Sequence, residues 1–205
     1  MATNFPTSLD NFTNPTGTDY LNSPDHAAQH TNKNDAVEAL EAKVGVDNSA
    51  VTTSLDYLVK KYKKVEKTTD EIKTNDATTA DDTALTFAVA ANTKYRFVVQ
   101  VWYYSDPAPD FKYQFTGPDS PTVIGYRRET NAHGSSTSAN SAVYLYITSD
   151  ASITVSTTGI GQVRLWGILH NGANAGTVAF RWAQNTSSAN PTTVYAGSFI
   201  EYSVV

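Results

Sequence analysis

Three patterns of hydrophobic and polar positions follow one another along the chain. In residues 1 to 33, "FPTSLDNFTNPTGTDYLNSPDH" scatters single apolar residues among polar ones, with Pro6, Pro15, Pro24 and Gly17 as punctuation. Proline restricts itself and the residue before it to extended or turn geometry, so the pattern predicts an extended arm rather than a helix. Phe5, Leu9, Phe12, Tyr20 and Leu21 recur along it as spaced apolar anchors, which a plain spacer would not need. A disordered tail is the alternative reading.

Residues 34 to 75 change to a helical spacing. Asp35 can cap a first helix and Glu38, three residues on, completes a capping box; Val37, Leu40 and Val44 share one face, and Gly45 can end it. A helix of about ten residues is roughly 15 Å long and marginal in water by itself. The next stretch, "AVTTSLDYLVKKYKKVEKTTDEIK", spaces Val51, Leu55, Leu58, Tyr62, Val65, Thr69 and Ile72 alternately four and three apart. That is the a/d seam of a coiled coil over about three heptads. The lysines at 60, 61, 63, 64 and 67 fall off the seam, as a solvated face would. So narrow a seam wants partner helices, and the short helix before it cannot cover its length. Self-association into a parallel homotrimer is therefore expected, with packing on the downstream domain as the alternative. The Thr68–Thr69 pair weakens the helical pattern beyond Val65.

From residue 76 to 205 the period becomes two. Leu85, Phe87 and Val89 alternate, as do Tyr95, Phe97, Val99, Val101 and Tyr103, and then Phe111, Tyr113 and Phe115. The alternation returns in "AVYLYIT", "SITVST", "QVRLWGIL", "TVAFRWAQ" and "SFIEYSVV", between turn signals such as "SDPAPD", "TGPDSP" and "HNGANAG". About eight or nine strands with no intervening helix predict an antiparallel β-sandwich or jelly roll. The expected whole is mainly β: an extended arm (1–33), a short helix plus a trimeric coiled-coil-like helix (34–75) and a β tip (76–205).

Composition sharpens this picture in three places. There are no cysteines, which removes disulfides and any thiolate nucleophile or metal ligand. The net charge of −5 argues against a duplex-binding surface, which would need basic residues to displace counterions. The chain starts "MATNFPTSLDNFTNP", with no basic start and no apolar block, so neither a signal peptide nor membrane insertion is expected.

Candidate chemistry is sparse. His26 and His30 would share a face if their segment were helical, but Ala27 stands where a zinc protease motif needs glutamate to polarise the metal-bound water. No third ligand can be picked out, although histidines around a three-fold axis could hold an ion, and no metal or cofactor is assigned. There is no G-x-S-x-G and no glycine-rich phosphate loop, and most aspartates after residue 75 fall in turns, where they bond locally to backbone. His133 and His170 have no evident partners. No catalytic residue is assigned, and the chain is not expected to be an enzyme. Trp102, Trp166 and Trp182 sit inside strand patterns, where burial is the usual reason for an aromatic residue. Exposed aromatics also serve as sugar platforms, which makes Trp102 and Tyr104 the candidate glycan contacts.

Two phrases of the sequence resemble known proteins. "FPTSLDNFTNPTGTDYLNSPDHAAQHTNKNDAVEALEAKVGV", followed by "SAVTTSLDYLV", resembles the N-terminal module of many virion structural proteins of tailed bacteriophages. "AGTVAFRWAQNTSSANPTTVYAGSFIEYSVV", residues 175 to 205, resembles the close of the β domain in phage tail fibre, minor tail and head decoration proteins. The resemblance implies an N-terminal anchor, a trimeric stalk and a C-terminal tip on a virion assembled in the host cytoplasm. Its partners would be two further copies of the chain, the major capsid protein or another virion protein held by residues 1–33, and a host surface glycan. Tail fibres of this type carry long shafts, and this chain has none, which favours a capsid decoration protein or short head fibre. A tail fibre or baseplate receptor-binding protein, with a carbohydrate-binding tip, is the alternative.

Overall fold

The computed structural model describes residues 25–118, 123–131, 139–144, 151–153 and 158–205, with positions 16, 18, 20 and 22. It divides into two compact units, Met1–Lys61 and Tyr62–Val205.

The first unit holds two helices among its described residues. Helix α1, His26–Val44, begins well before the predicted cap at Asp35. Asp25 caps it instead: its carboxylate accepts a hydrogen bond from the Ala27 N–H at 3.0 Å, and its carbonyl accepts one from Gln29. The helix therefore takes in residues 26 to 33, which the sequence assigned to the arm; the proline that argued against a helix precedes the cap. At the other end Gly45, at a φ of 84° that favours glycine, donates its N–H to the Glu41 carbonyl at 2.7 Å. Helix α2, Leu55–Lys60, is capped by Ser54, whose hydroxyl accepts from the Tyr57 N–H at 3.3 Å. Asp56 accepts from the Ser49 N–H at 2.9 Å and pairs with Lys60 at 2.7 Å, which together close the turn between the helices. The Lys60 bond holds the Asp56 carboxyl below the usual range, against a smaller opposing effect of desolvation. Neither helix buries a residue.

The long coiled-coil seam is not there. Only Leu55 and Leu58 of its members are helical; Val51 lies in the preceding turn. Tyr62 and Val65 belong to strand β1, Tyr62–Glu66, and Ile72 to strand β2, Glu71–Lys73. The seam does not survive as one face, because in a strand the three-residue step from Tyr62 to Val65 puts them on opposite sides: Val65 packs on the β core, while Tyr62 is 64% exposed, as is Ile72. Hydrogen bonding along the whole length of β1 to the C-terminal strand outweighs the local helical preference. Of the anchoring arm, Phe5, Leu9, Phe12 and Leu21 lie outside the described residues, and Tyr20 is exposed.

The second unit is a β-sandwich. After β1 and β2 come β3 (Ala80–Val89), β4 (Lys94–Ser105), β5 (Phe111–Thr116), β6 (Val123–Asn131), β7 (Ala139–Tyr144) and β8 (Ala151–Ile153). Strands β9 (Gly159–His170), β10 (Gly176–Ala183), β11 (Thr192–Val194) and β12 (Phe199–Val204) complete it. The larger sheet runs β1-β12-β4-β9-β6-β7, with β11 bridging β4 and β2; the smaller runs β3-β10-β5-β8, and the pairings are antiparallel.

The predicted alternations supply the core. Leu85, Phe87 and Val89, the five odd-numbered residues from Tyr95 to Tyr103, and Phe111, Tyr113 and Phe115 are all buried. Their rings bridge the two sheets: Tyr103 of β4 stacks on Phe111 of β5 at 4.3 Å, and Phe87 of β3 on Tyr202 of β12 at 4.3 Å. One ion pair is drawn into the interior. Lys67, 4% exposed, reaches Asp82 at 2.8 Å and Glu71 at 2.7 Å, and the other Asp82 oxygen accepts from the N–H groups of Ala84 and Leu85. Burial works against the Lys67 charge, but these hydrogen bonds outweigh it and raise its pKa.

Candidate binding face of the large sheet

Burial of the odd-numbered residues of β4 sends the even-numbered ones to the outer face of the large sheet. Register then decides which of them meet. Arg96 lies opposite Ile168 of β9 and Ser203 of β12, and Ser203 in turn opposite Tyr62 of β1. One step along, Val98 lies between Trp166 and Glu201, with Lys64 beyond Glu201. Tyr62, Arg96, Val98, Trp166, Glu201 and Ser203 thus line an open groove of about 380 Å³, backed by Phe97, Gly167 and Tyr202.

The walls of the groove are fixed by the protein's own bonds. The Arg96 guanidinium donates to the Ser203 hydroxyl at 3.2 Å and to the Tyr62 hydroxyl at 3.0 Å, and lies 5.8 Å from the centre of the Tyr62 ring. Arg164, two residues along β9, places its guanidinium 4.7 Å from the centre of the Trp166 indole. These contacts hold two aromatic rings in place beside a cation, an anion and two hydroxyls.

The predicted glycan contacts lie elsewhere on this face. Trp102, opposite Gln162, is 39% exposed, and Tyr104, opposite Ile160 and Thr193, is half-buried. The Trp102 backbone donates to the Ser198 hydroxyl and its carbonyl accepts from the Tyr195 N–H, so the main chain there is rigidly held. Trp102 points outward, against the expectation of burial; Trp166 is half-buried on the same face, and only Trp182 is fully buried. The alternation that buried Val101 and Tyr103 already required Trp102 to face outward. Trp166 could have been assigned the same way, from Val163, Leu165 and the strand parity they set. The places of Tyr62 and Glu201 on this face had no signal in the sequence, because one depends on β1 joining β12 and the other on the register of β12 against β4.

His26 and His30 do share a helix face, with their Nε2 atoms 3.1 Å apart and rings edge to face, but no third candidate ligand joins them among the described residues. His170 ends β9, and His133 lies outside the described residues. Asp81 is paired with Arg181 at 2.7 Å. Tyr103 is enclosed, and burial first, then the neighbouring Tyr113 and Asp110, push its phenol far above the ordinary value. No described helix is long and apolar enough to cross a membrane.

Neither family models nor curated proteins match the chain. Among solved structures, the tripod from the baseplate of bacteriophage Tuc2009 aligns over 95% of this chain and 99% of its own, at 12% identity and a TM-score of 0.29. Infectious bursal disease virus, Gx strain, aligns over 70% of this chain at 12% identity and a TM-score of 0.21. This chain spans 40% of that viral chain's length. At such scores the likenesses carry no argument about fold or role.

Proposed function

We propose that the chain is a non-enzymatic structural protein of a tailed-bacteriophage virion: a homotrimeric capsid decoration protein or short head fibre. Residues 1–33 anchor it to the major capsid protein or another virion protein, and the sandwich projects outward as the tip. The sequence resemblance at both ends of the chain motivates the setting. We read the tip as a jelly roll, because β3-β10-β5-β8 opposite β4-β9-β6-β7 is the strand order of two interlocked Greek keys.

The observation that carries self-association is on α1. Its alanines at 28, 36 and 39 are partly covered, yet its branched residues are bare: Val37, Leu40 and Val44 are 52%, 51% and 44% exposed. Leu55, Leu58 and Val59 of α2 are exposed as well. A stripe spaced three and four residues apart is the seam of a helical bundle, so the trimer rests on α1 and α2 rather than on residues 62 to 72. Three joined copies would also multiply weak arm contacts through effective concentration.

Sedimentation equilibrium of the full chain tests this. A trimer that Leu40→Glu converts to monomer, with the sandwich still folded, is the expected result. A wild-type monomer at high concentration, or particle binding that survives deletion of residues 1–33, overturns it. A tail fibre or baseplate receptor-binding protein is the second reading, favoured by the groove on the tip; label on the tail rather than the head in electron micrographs of the particle would select it.

A further inference from the structure

We infer that the groove between Tyr62, Arg96, Trp166 and Glu201 is a binding site for a neutral pyranose sugar, one ring or two, and that it, not the Trp102–Tyr104 patch, is the glycan contact of the tip. The inference deepens the receptor-binding reading but depends on neither the trimer nor the site of attachment.

Three features of the groove select this chemistry. Its central strand β4 is paired on both sides, by β12 and β9, so within the groove itself no backbone edge is open to receive a peptide as an added strand; the sheet's edge lies beyond Tyr62, on β1. Recognition must come from side chains. Those side chains combine apolar ring faces with hydrogen-bonding groups of both signs. A phosphate-bearing ligand would meet the Glu201 carboxylate as well as Arg96, and a purely apolar one would strand the polar groups without partners. A pyranose offers both an apolar C–H face and an edge of hydroxyls that donate and accept.

The hydrogen-bonding capacity is also suited to a polyol. The exposed Tyr62 hydroxyl accepts from Arg96, which leaves its proton to be donated outward, while the buried Ser203 hydroxyl, which also accepts from Arg96, holds the guanidinium in place. The Arg96 guanidinium has five N–H donors and spends only some of them on these two bonds. Glu201, exposed beside them, accepts. Tyr62 is already tied to Arg96, and Trp166 already rests against Arg164, so little ordering is lost when a sugar arrives. The volume of about 380 Å³ lies at the small end of ligand sites and is open to solvent, which suits a weak, millimolar contact repeated over several copies of the tip.

The test uses the full-length protein and methyl glycosides of glucose, galactose, mannose and rhamnose, together with N-acetylglucosamine. Saturation-transfer NMR and tryptophan fluorescence follow each titration to high millimolar concentration. At least one sugar is expected to bind saturably, about tenfold more weakly to Trp166→Ala and about threefold more weakly to Tyr62→Phe, which keeps the ring and loses the hydroxyl. Glu201→Gln, which keeps size and shape, weakens the same sugar and guards against a folding defect in the tryptophan variant. Trp102→Ala binds as wild type. Absence of saturable binding by the whole panel overturns the inference, as does binding lost in Trp102→Ala but retained in Trp166→Ala. Either failure leaves the sedimentation and particle-binding results unaffected, so the two readings fall separately.

Discussion

The ring of Phe97 lies where a side chain on Gly167 would begin. The two residues are partners across β4 and β9, and a Cβ at position 167 would press into the ring from within the core. An aromatic ring laid over a strand glycine restores the packing that glycine lacks. Gly167→Ala is therefore expected to destabilise the sandwich by about 1–3 kcal/mol, the usual cost of forcing an extra carbon into a packed interior. Urea unfolding measures it. Adding Phe97→Leu to that variant should recover part of the loss, and a fully additive double variant would show that the two side chains do not compete for one space.

Lys67 and Asp82 give a second expectation. Lys67→Met leaves the buried carboxylate of Asp82 with its two backbone donors but without its cation. Breaking one side of such a pair costs about 3–5 kcal/mol, and urea unfolding at neutral pH reads it directly. A loss below about 1 kcal/mol would mean that water reaches the site and screens the charge.

The same lysine sets a pH dependence. Its pKa is raised in the folded state, so the folded form holds its proton more tightly than the unfolded chain does. That stabilisation is complete at neutral pH and is lost as pH rises past the ordinary value of 10.5 and through the raised one. Tyr103 acts in the same direction, since a buried phenol with a raised pKa keeps its proton while the unfolded chain gives its own up above 10.0. Alkaline unfolding should therefore begin near pH 10 and shift upward in Tyr103→Phe. Unfolding curves that coincide for wild type and Tyr103→Phe across that range would exclude the phenol as a cause.

Gln184 is a buried junction with every bond made. Its amide oxygen accepts from the Asp76 and Ser188 N–H groups, and its nitrogen donates to the carbonyls of Lys73 and Asn190. Gln184→Leu leaves those backbone groups unpaired at a fully buried position, an expected loss of about 2–4 kcal/mol. Hydrogen exchange at the Asp76 and Ser188 amides should accelerate in that variant, whereas exchange in β9 should not.

The helix start can be checked by two cap substitutions. Asp25→Ala should cost about 1 kcal/mol of α1 stability and speed exchange of the Ala27 amide, because the side-chain acceptor is lost. Asp35→Ala, in mid-helix, should change stability by less than about 0.5 kcal/mol. The reverse ranking would restore the later helix start that the sequence pattern suggested.

The β character of the tip and most of its core are legible along the chain, because alternation is a property of each strand alone. The alternate residues from Leu85 to Val89, Tyr95 to Tyr103 and Phe111 to Phe115 are buried for that reason, and Gly45 ends α1 because glycine tolerates the positive φ there. That Tyr62–Glu66 and Glu71–Lys73 are strands follows from their partners in the fold. Their spacing alone reads as helical, and it is overridden by hydrogen bonds to β12 and β11 and by the Lys67–Asp82 ion pair, all with partners outside the segment. The groove depends on the same decision, since Tyr62 meets Arg96 and Trp166 shares a wall with Glu201 only once register is set across β1, β12, β4 and β9. Register is a relation between strands, and no local pattern in one of them contains it.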